Sequence, residues 1–156
     1  MKNQLFDLTK KVSLITGGNG GIGLGMAKGL ASCGSDIAII GRNINKNSKA
    51  KEELSKFDVR VETYSIDVSN EEDVKKTVLN VVNDFGRIDA VFANAGMNLY
   101  GGSFEDMDTD VYRKVLAVNL DGVFFTLREV CKHMVERAKK GDPGGSVVGV
   151  ASLAGI

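Results

Sequence analysis

Short apolar runs recur along the chain, and each one ends where polar or glycine residues begin. The runs are rich in valine and isoleucine, and most are apolar at consecutive positions. Runs of this kind are typical of buried strands in a parallel sheet that is covered on both faces. The pattern predicts five strands, at residues 11–16, 36–40, 59–66, 88–94 and 146–152.

Between the strands, apolar residues return every three or four positions, which is the spacing of amphipathic helices. The predicted helices cover residues 21–33, 45–57, 69–85 and 111–139. The first helix has its apolar spacing at Ile22, Met26 and Leu30. Ser69 is the expected N-cap of the third helix. The expected buried stripe of that helix consists of Val74, Val78, Val81 and Phe85. Asn119 and Gly122 are expected to divide the last helix in two.

Strands and helices alternate along the whole sequence, with no internal repeat or linker that would divide it. This alternation predicts an α/β fold, a doubly wound parallel sheet of Rossmann type with strand order 3-2-1-4-5 and helices on both faces. Residues 1–156 would form one dinucleotide-binding domain, with a sheet that is incomplete after strand five. The ligand crevice is expected at the carboxyl ends of strands one and four, where the strand order reverses.

Composition and charge narrow the classes of partner. The chain has 20 basic and 20 acidic residues, so no charge excess favours nucleic acid or an anionic membrane. No segment is apolar for the length that a bilayer span requires, and the first residues lack the apolar region of a secretory signal. We therefore expect a cytoplasmic protein.

Metal-ligating residues are few and poorly spaced. Cys33 and Cys131 have no C-x-x-C partner, and we expect both to be reduced. His133 is the only histidine, and we expect it at the surface. These residues supply no ligand set for zinc, so the sequence predicts no metal site.

The stretch TGGNGGIGLG, residues 16–25, contains two overlapping glycine patterns. One is G-x-G-x-x-G, at Gly18, Gly20 and Gly23, and the other is T-G-x-x-x-G-x-G, at residues 16–23. The stretch follows a predicted strand and opens a predicted helix, so we expect its backbone N–H groups to bind the phosphates of a dinucleotide. The glycines alone do not choose between the two patterns.

Further motifs follow the glycines in a fixed order. Asp67 comes after strand three and N-A-G (94–96) after strand four; Asn119 lies in V-N-L-D-G, and Ser152 ends strand five. Together with the glycine stretch, this series resembles the short-chain dehydrogenase/reductase family over essentially the whole chain. The resemblance selects the pattern T-G-x-x-x-G-x-G. It also implies an oxidoreductase that moves hydride between a nicotinamide cofactor and a carbonyl or alcohol substrate.

The resemblance implies a role for each matching residue. The pyrophosphate would be held by Gly17, Asn19, Gly21, Ile22 and Gly23. Adenine would be bordered by Asp67 and Val68. The floor below the adenosine ribose would be formed by Asn94, Ala95 and Gly96. In catalysis, Asn119 would anchor a water of the proton relay, and Ser152 would hydrogen-bond the substrate oxygen.

The end of strand two bears on the choice between NADP and NAD. An acidic residue there would bind the 2′-hydroxyl of NAD, whereas an arginine would pair with the 2′-phosphate of NADP. The sequence has Arg42 at this place, although no lysine or arginine lies between Gly17 and Gly21, where many NADP-using relatives carry one. We predict NADP as the preferred cofactor, with NAD as the alternative.

In the family that the chain resembles, a Y-x-x-x-K motif lies in the helix after the serine-bearing strand, and residues 1–156 do not reach that helix. Because that tyrosine supplies acid-base catalysis, we expect no useful turnover from residues 1–156 alone. A non-catalytic nucleotide-binding module or partner subunit is the alternative function, although the joint presence of Asn119 and Ser152 favours an enzyme.

The resemblance also implies a homo-oligomer through the helix at 119–138. The apolar positions of this helix are Val123, Leu127, Val130 and Met134. Periodicity does not tell whether they belong to the core of the domain or to an interface with a second copy.

Overall fold

Strands and helices alternate in a computed structural model of the chain, which describes residues 6–98, 103–142 and 144–152. The strands are β1 (Val12–Thr16), β2 (Asp36–Ile40), β3 (Val61–Tyr64), β4 (Ala90–Ala93) and β5 (Ser146–Gly149). The α-helices are α1 (Gly21–Ser32), α2 (Ile44–Leu54), α3 (Glu71–Phe85), α4 (Thr109–Leu116) and α5 (Gly122–Lys139). A short 3-10 helix (Phe104–Asp106) precedes α4, and a π-helical turn (Ala117–Asp121) joins α4 to α5.

The strands form one parallel sheet in the order β3-β2-β1-β4-β5, which confirms the predicted fold class. Val12 of β1 is paired with Asp36 of β2, while Ser13 is paired with Ala90 of β4. The chain therefore leaves β1 toward one edge of the sheet and returns to its other side at β4. This reversal opens a crevice at the carboxyl ends of β1 and β4.

Each face of the sheet has its own core. Helices α3 and α5 cover one face, and α1 and α2 cover the other. The stripe predicted for α3 is confirmed, since Val74, Val78 and Val81 are buried and Phe85 packs against them partly buried. On the other face, Ala50 and Leu54 of α2 are buried against Ile37 and Ile39 of the sheet.

Helix α1 buries small residues against the sheet, and of the three residues in the predicted apolar spacing Leu30 packs partly buried against this core. Its buried residues are Gly23, Ala27 and Ala31, whereas Ile22 is 70% exposed. Small side chains let the helix axis approach the sheet closely, and this places Ile22 at the rim of the crevice instead of in the core.

The N-cap expected for α3 is wrong by one residue. Asn70 is the N-cap, and its side-chain oxygen accepts a hydrogen bond from the backbone N–H of Asp73 at 3.2 Å. Ser69 instead donates its hydroxyl to Asp67 at 2.8 Å, so the serine serves the loop that precedes the helix. Both residue types suit an N-cap, and only the local geometry chooses between them.

The predicted division of the last helix is present as the π-helical turn that contains Asn119. Three of the apolar positions of α5 belong to the core of the domain. Val130 and Met134 are buried, and Leu127 packs partly buried against the same cluster. A different face of the helix points outward. Its exposed apolar residues, with Leu120 of the preceding turn, are Phe124 and Val135.

Strand β5 forms an exposed edge within the described part of the chain. It pairs with β4, and all of its residues are exposed, including Val147 and Val148.

Among the described helices, none combines the length and the apolar character needed to cross a bilayer.

A polar network at the amino ends of the strands ties β1, β4 and α5 together. Asp89 accepts hydrogen bonds from the backbone N–H of Val12 at 3.0 Å and from the guanidinium groups of Arg87 and Arg137. Arg137 is nine-tenths buried and donates to the carbonyl oxygen of Ile88 at 2.6 Å. Buried charges of this kind are tolerated only when they are paired and hydrogen-bonded, and here they are.

His133 belongs to this network, so the expected surface position is wrong. Its side chain is half-buried, and its Nε2 atom accepts a hydrogen bond from the backbone N–H of Ile88 at 3.2 Å. Burial, and then the nearby positive charge of Arg137, lowers the pKa of His133 below its ordinary value; the carboxylates of Asp89 and Asp142 oppose this and Arg87 adds to it. The folded chain thus favours the neutral imidazole, which alone can accept this bond.

Acidification should therefore weaken the fold through His133. A histidine whose pKa is lowered on folding contributes stability that is complete above its unfolded pKa of about 6.5 and is lost as the pH falls toward the folded value. We expect the urea midpoint of the wild type to decrease between about pH 7.5 and 5.5, a window in which ordinary carboxylates hardly titrate. The variant His133→Gln keeps an acceptor without a titrating group and should lose much less. Equal pH dependence in the two proteins would contradict this assignment.

Candidate cofactor-binding cleft

A cleft of about 620 Å³ lies at the carboxyl ends of β1, β2 and β4, beside the start of α1. All of the residues that the resemblance assigned to the cofactor line this one cleft: Gly17, Asn19, Gly21, Ile22, Gly23, Arg42, Asp67, Val68, Asn94, Ala95 and Gly96. They come from separate loops along the chain, and the doubly wound topology brings these loops to one edge. Their individual roles toward a cofactor stay predictions.

The backbone of the glycine loop agrees with the pattern T-G-x-x-x-G-x-G. Gly17 and Gly21 have φ angles of +66° and +49°, in the left-handed region that side chains disfavour. At Gly23, an added Cβ would overlap the carbonyl oxygen of Gly17 and lie 2.6 Å from Nδ2 of Asn94. Gly20, which belongs to the other pattern, has an ordinary extended φ of −177° and open space around it. The geometry thus requires glycine at all three glycine positions of T-G-x-x-x-G-x-G, while a Cβ added at Gly18 would be tight, 3.1 Å from its nearest atoms.

The amino end of α1 suits an anion. Its N-cap is Gly20, which offers no side chain to the free N–H groups, and its first turn has no acidic residue. By contrast, Asn43 caps α2 and Asn70 caps α3 with their side chains. No atom lies within 4 Å of a Cβ added at Gly20 or Gly21, so the space beside this helix end is open. Free N–H groups and the helix dipole both favour a phosphate there.

Hydrogen bonds between β1 and β4 hold the floor of the cleft. The hydroxyl oxygen of Thr16 accepts from the backbone N–H groups of Asn94 at 3.0 Å and Ala95 at 2.9 Å. The side-chain amide of Asn94 donates back to the carbonyl oxygens of Thr16 at 3.0 Å and Gly17 at 3.4 Å. Asn94 therefore fixes the loops after both strands, and its tie to Gly17 lies directly below the glycine loop.

A second set of hydrogen bonds ties the glycine loop to α2. The amide of Asn19 donates to the side-chain oxygen of Asn47 at 2.6 Å, and Asn47 donates to the carbonyl oxygen of Gly41 at 2.8 Å. The Asn19 side chain packs so closely over Gly41 that a Cβ there would displace it. Asn47 is buried and was not singled out from the sequence, where an asparagine inside a polar helix gives no signal.

Charged side chains gather where β2 and β3 end. Nη1 of Arg42 donates to Oδ2 of Asp67 at 3.3 Å. Burial alone would raise the pKa of Asp67, but hydrogen bonds from Ser69 and the charge of Arg42 bring it below its usual value, so the carboxylate is ionised. Lys46, in the first turn of α2, lines the same cleft and was missed by the sequence analysis. The sequence signal that could have pointed to Lys46 is a basic residue four positions after Arg42, near the start of a predicted helix.

The two predicted catalytic residues lie outside this lining. Asn119, in the π-helical turn, accepts a hydrogen bond from the backbone N–H of Met97 at 2.8 Å and donates to its carbonyl oxygen at 2.9 Å. Both ends of its amide are therefore used to hold the segment after Gly96. Ser152 follows β5 and is exposed.

Within the described ranges, no group of three or more His, Cys, Asp or Glu side chains could hold a metal ion.

Comparison with known proteins agrees with the fold and with the motif order. A sequence model of the family described as short chain dehydrogenase matches residues 11–156. The chain belongs to the short-chain dehydrogenase/reductase family. It spans a little over half the length of the curated relatives that it matches.

Among curated relatives, sorbose reductase sou1 of Schizosaccharomyces pombe is 35% identical over 153 residues, which are 97% of this chain and 58% of that protein. The NADP-dependent mannitol dehydrogenase of Hypocrea jecorina is 36% identical over 155 residues, or 97% of this chain and 56% of that protein. These similarities support NAD(P)-dependent oxidoreduction as the chemistry of the family members.

Among solved structures, an NAD⁺-bound xylitol dehydrogenase superposes with a TM-score of 0.89 at 36% identity, covering 95% of this chain and 55% of that one. An NADPH-dependent 3-quinuclidinone reductase from Rhodotorula rubra superposes with a TM-score of 0.85 at 33% identity, covering 99% and 57%. The neighbours thus include proteins named for either cofactor.

The glycine loop makes a direct stability prediction. Gly23→Ala should lower the free energy of unfolding by about 1–3 kcal/mol, because the added methyl group meets backbone that cannot move without opening the loop. Gly25→Ala, in the same helix, has no atom within 4 Å of the added Cβ and should raise it by roughly 0.5–1 kcal/mol. Urea unfolding measures both. A Gly25→Ala variant as unstable as Gly23→Ala would show that the close approach is not the cause.

Proposed function

We propose that this chain binds NADP, in preference to NAD, in the cleft at the start of α1, and that it is the cofactor-binding part of an oxidoreductase acting on carbonyl and alcohol substrates. The observation that carries the proposal is the uncapped amino end of α1, with open space at Gly20 and Gly21, on the same cleft as every predicted cofactor residue. No electrostatic preference for another class of ligand competes with it, since the chain is neutral overall.

The residues of the cleft fit the parts of a dinucleotide. The N–H groups of the glycine loop and of α1 would bind the pyrophosphate, and the side chains of Asp67 and Val68 would border the adenine. When bound, the nicotinamide supplies hydride donation or acceptance. Asn119 holds the Met97 segment in place, and we propose Ser152 as the group that hydrogen-bonds the substrate oxygen.

The preference for NADP rests on the charges where β2 ends. Arg42 and Lys46 both line the cleft there, and the position that would carry an acid in an NAD-selective site holds arginine. A guanidinium can bind a phosphate through two hydrogen bonds, which a ribose hydroxyl cannot match. The relatives named for NADP dependence are consistent with this choice, whereas the NAD⁺-bound xylitol dehydrogenase is the reason to measure both cofactors.

Sugar alcohols and ketoses are the first substrates to test in a longer protein. The relatives and neighbours named above include a sorbose reductase, a mannitol dehydrogenase and a xylitol dehydrogenase. Residues 1–156 alone are proposed to bind cofactor without useful turnover. The alternative is a module whose whole function is nucleotide binding; NADPH oxidation by a longer protein that is lost in Ser152→Ala would exclude that alternative.

We also keep the prediction of a homo-oligomer and now assign it to the outward face of the last helix. The exposed apolar residues of this face are Leu120, Phe124 and Val135. Val130 and Met134 are buried in the core of the domain instead. Arg128 covers part of this face, with its guanidinium carbon 5.0 Å from the ring centre of Phe124. A cytoplasmic location likewise remains a proposal from the sequence.

Arg42 provides the test of cofactor preference. Arg42→Gln should weaken NADPH binding about 10- to 100-fold, because a charge-assisted bond to phosphate contributes about 1.5–3 kcal/mol. The same variant should change NADH binding less than about 2-fold. Lys49→Gln removes the same charge from an exposed site of α2 outside the cleft, and it should leave both affinities unchanged. Calorimetric titration gives the constants.

Two outcomes would overturn the proposal. Failure of the folded wild-type chain to bind either dinucleotide would remove cofactor binding as its function. Binding of both, with an NADPH-to-NADH affinity ratio that Arg42→Gln leaves unchanged, would remove only the preference for NADP.

A further inference from the structure

Arg42, the residue expected to recognise a 2′-phosphate, is already engaged by a carboxylate of the same cleft. Its Nη1 atom lies 3.3 Å from Oδ2 of Asp67, across the gap between the loops that follow β2 and β3. Both side chains remain partly open to solvent, with exposed fractions of 59% for Arg42 and 39% for Asp67. The pair is therefore accessible to a ligand and can be broken by one.

Asp67 is held in the orientation that this contact requires. Its Oδ1 atom accepts hydrogen bonds from the backbone N–H of Ser69 at 3.0 Å and from the Ser69 hydroxyl at 2.8 Å. These two bonds use one carboxylate oxygen and leave the other directed to Arg42. The acid is consequently a fixed partner of the arginine and does not follow it when the arginine moves.

The backbone of Arg42 is anchored on the same side. Its carbonyl oxygen accepts a hydrogen bond from the hydroxyl of Ser65 at 3.2 Å, just after β3. Movement of Arg42 between the carboxylate of Asp67 and another anion in the cleft therefore involves its long side chain and not its backbone.

We propose that Asp67 lowers the preference for a 2′-phosphorylated cofactor by competing with the 2′-phosphate for Arg42. This inference rests on the proposed function. Binding of a phosphorylated ribose requires Arg42 to leave Asp67 or to be shared between Asp67 and the phosphate. Binding of an unphosphorylated ribose requires neither. Asp67 thus reduces the discrimination that Arg42 and Lys46 would give without it.

The size of the effect follows from the exposure of the pair. Ion pairs that remain partly in solvent are weak and are screened by salt. Their measured range corresponds to about 1.5- to 5-fold in affinity, so the expected change is modest and calls for probes that report the adenosine end alone.

The probes are 2′,5′-ADP and 5′-AMP, which differ only in the 2′-phosphate. Their affinities for the full 156-residue chain are measured by calorimetry at low salt, and the ratio of the two association constants is the readout. Asp67→Asn keeps an acceptor for Ser69 and should raise this ratio about 1.5- to 5-fold. Any loss of adenine contacts weakens both probes equally and cancels in the ratio.

Two comparisons separate this mechanism from a general charge effect. Glu72→Gln removes one negative charge from an exposed residue of α3 outside the cleft lining, and it should leave the ratio unchanged. In an Arg42→Gln background, Asp67→Asn should have no effect on the ratio. The guanidinium for which Asp67 and the 2′-phosphate compete is then absent. Asp67→Ser, which keeps a hydroxyl acceptor, replaces Asp67→Asn if the latter does not fold.

The outcomes are distinct. An unchanged ratio in Asp67→Asn, with both probes bound by the wild type, overturns the inference and leaves the proposed function standing. An equal rise in the Arg42→Gln background also overturns it, because direct repulsion by Asp67 is then sufficient. Binding of neither probe by the wild type overturns the proposed function and this inference with it.

Discussion

The close approach between the end of β1 and the start of α1 is the constraint on which the cleft depends. Gly23 lies so near the carbonyl oxygen of Gly17 that no side chain fits between them, and the amide of Asn94 fills the remaining space below. The helix consequently begins directly over the sheet edge. Without this contact, the free N–H groups of the first turn would lie farther from the point where β1 and β4 diverge.

The same approach explains the composition of α1. A helix that packs this closely needs small residues against the sheet, and it has them at Gly23, Ala27 and Ala31. Leu24 and Leu30 pack partly buried against the same core, whereas Ile22 faces the cleft rim. The loops that complete the cleft are then fixed to this helix start by side-chain amides, through Asn19 and Asn47 on one side and Asn94 on the other.

Apolar patterning predicted the strands and the buried stripe of α3, because these depend on which positions leave water, and the rules for crossover connections then predicted the strand order. Glycine spacing, together with the family resemblance, located the residues of the cleft. Pairings between distant polar residues were not predictable in the same way. The contact of His133 with Ile88 spans 45 positions and that of Arg42 with Asp67 spans 25, and no local pattern marks either. The prediction of Ser69 as the N-cap of α3 failed for a different reason. The adjacent residues Ser69 and Asn70 both suit an N-cap, and the local sequence does not choose between them.

The residues proposed to bind the cofactor lie apart from the residues proposed to act on the substrate. The glycine loop, Arg42 and Asp67 lie where β1, β2 and β3 end, and they depend on contacts that are complete within the described residues. Asn119 and Ser152 belong to the side of β4 and β5, where the sheet ends in an exposed edge. The proposed discrimination between phosphorylated and unphosphorylated adenosine therefore involves only residues of the β2 and β3 side. The charges of Arg42, Lys46 and Asp67 lie together there, apart from Asn119 and Ser152.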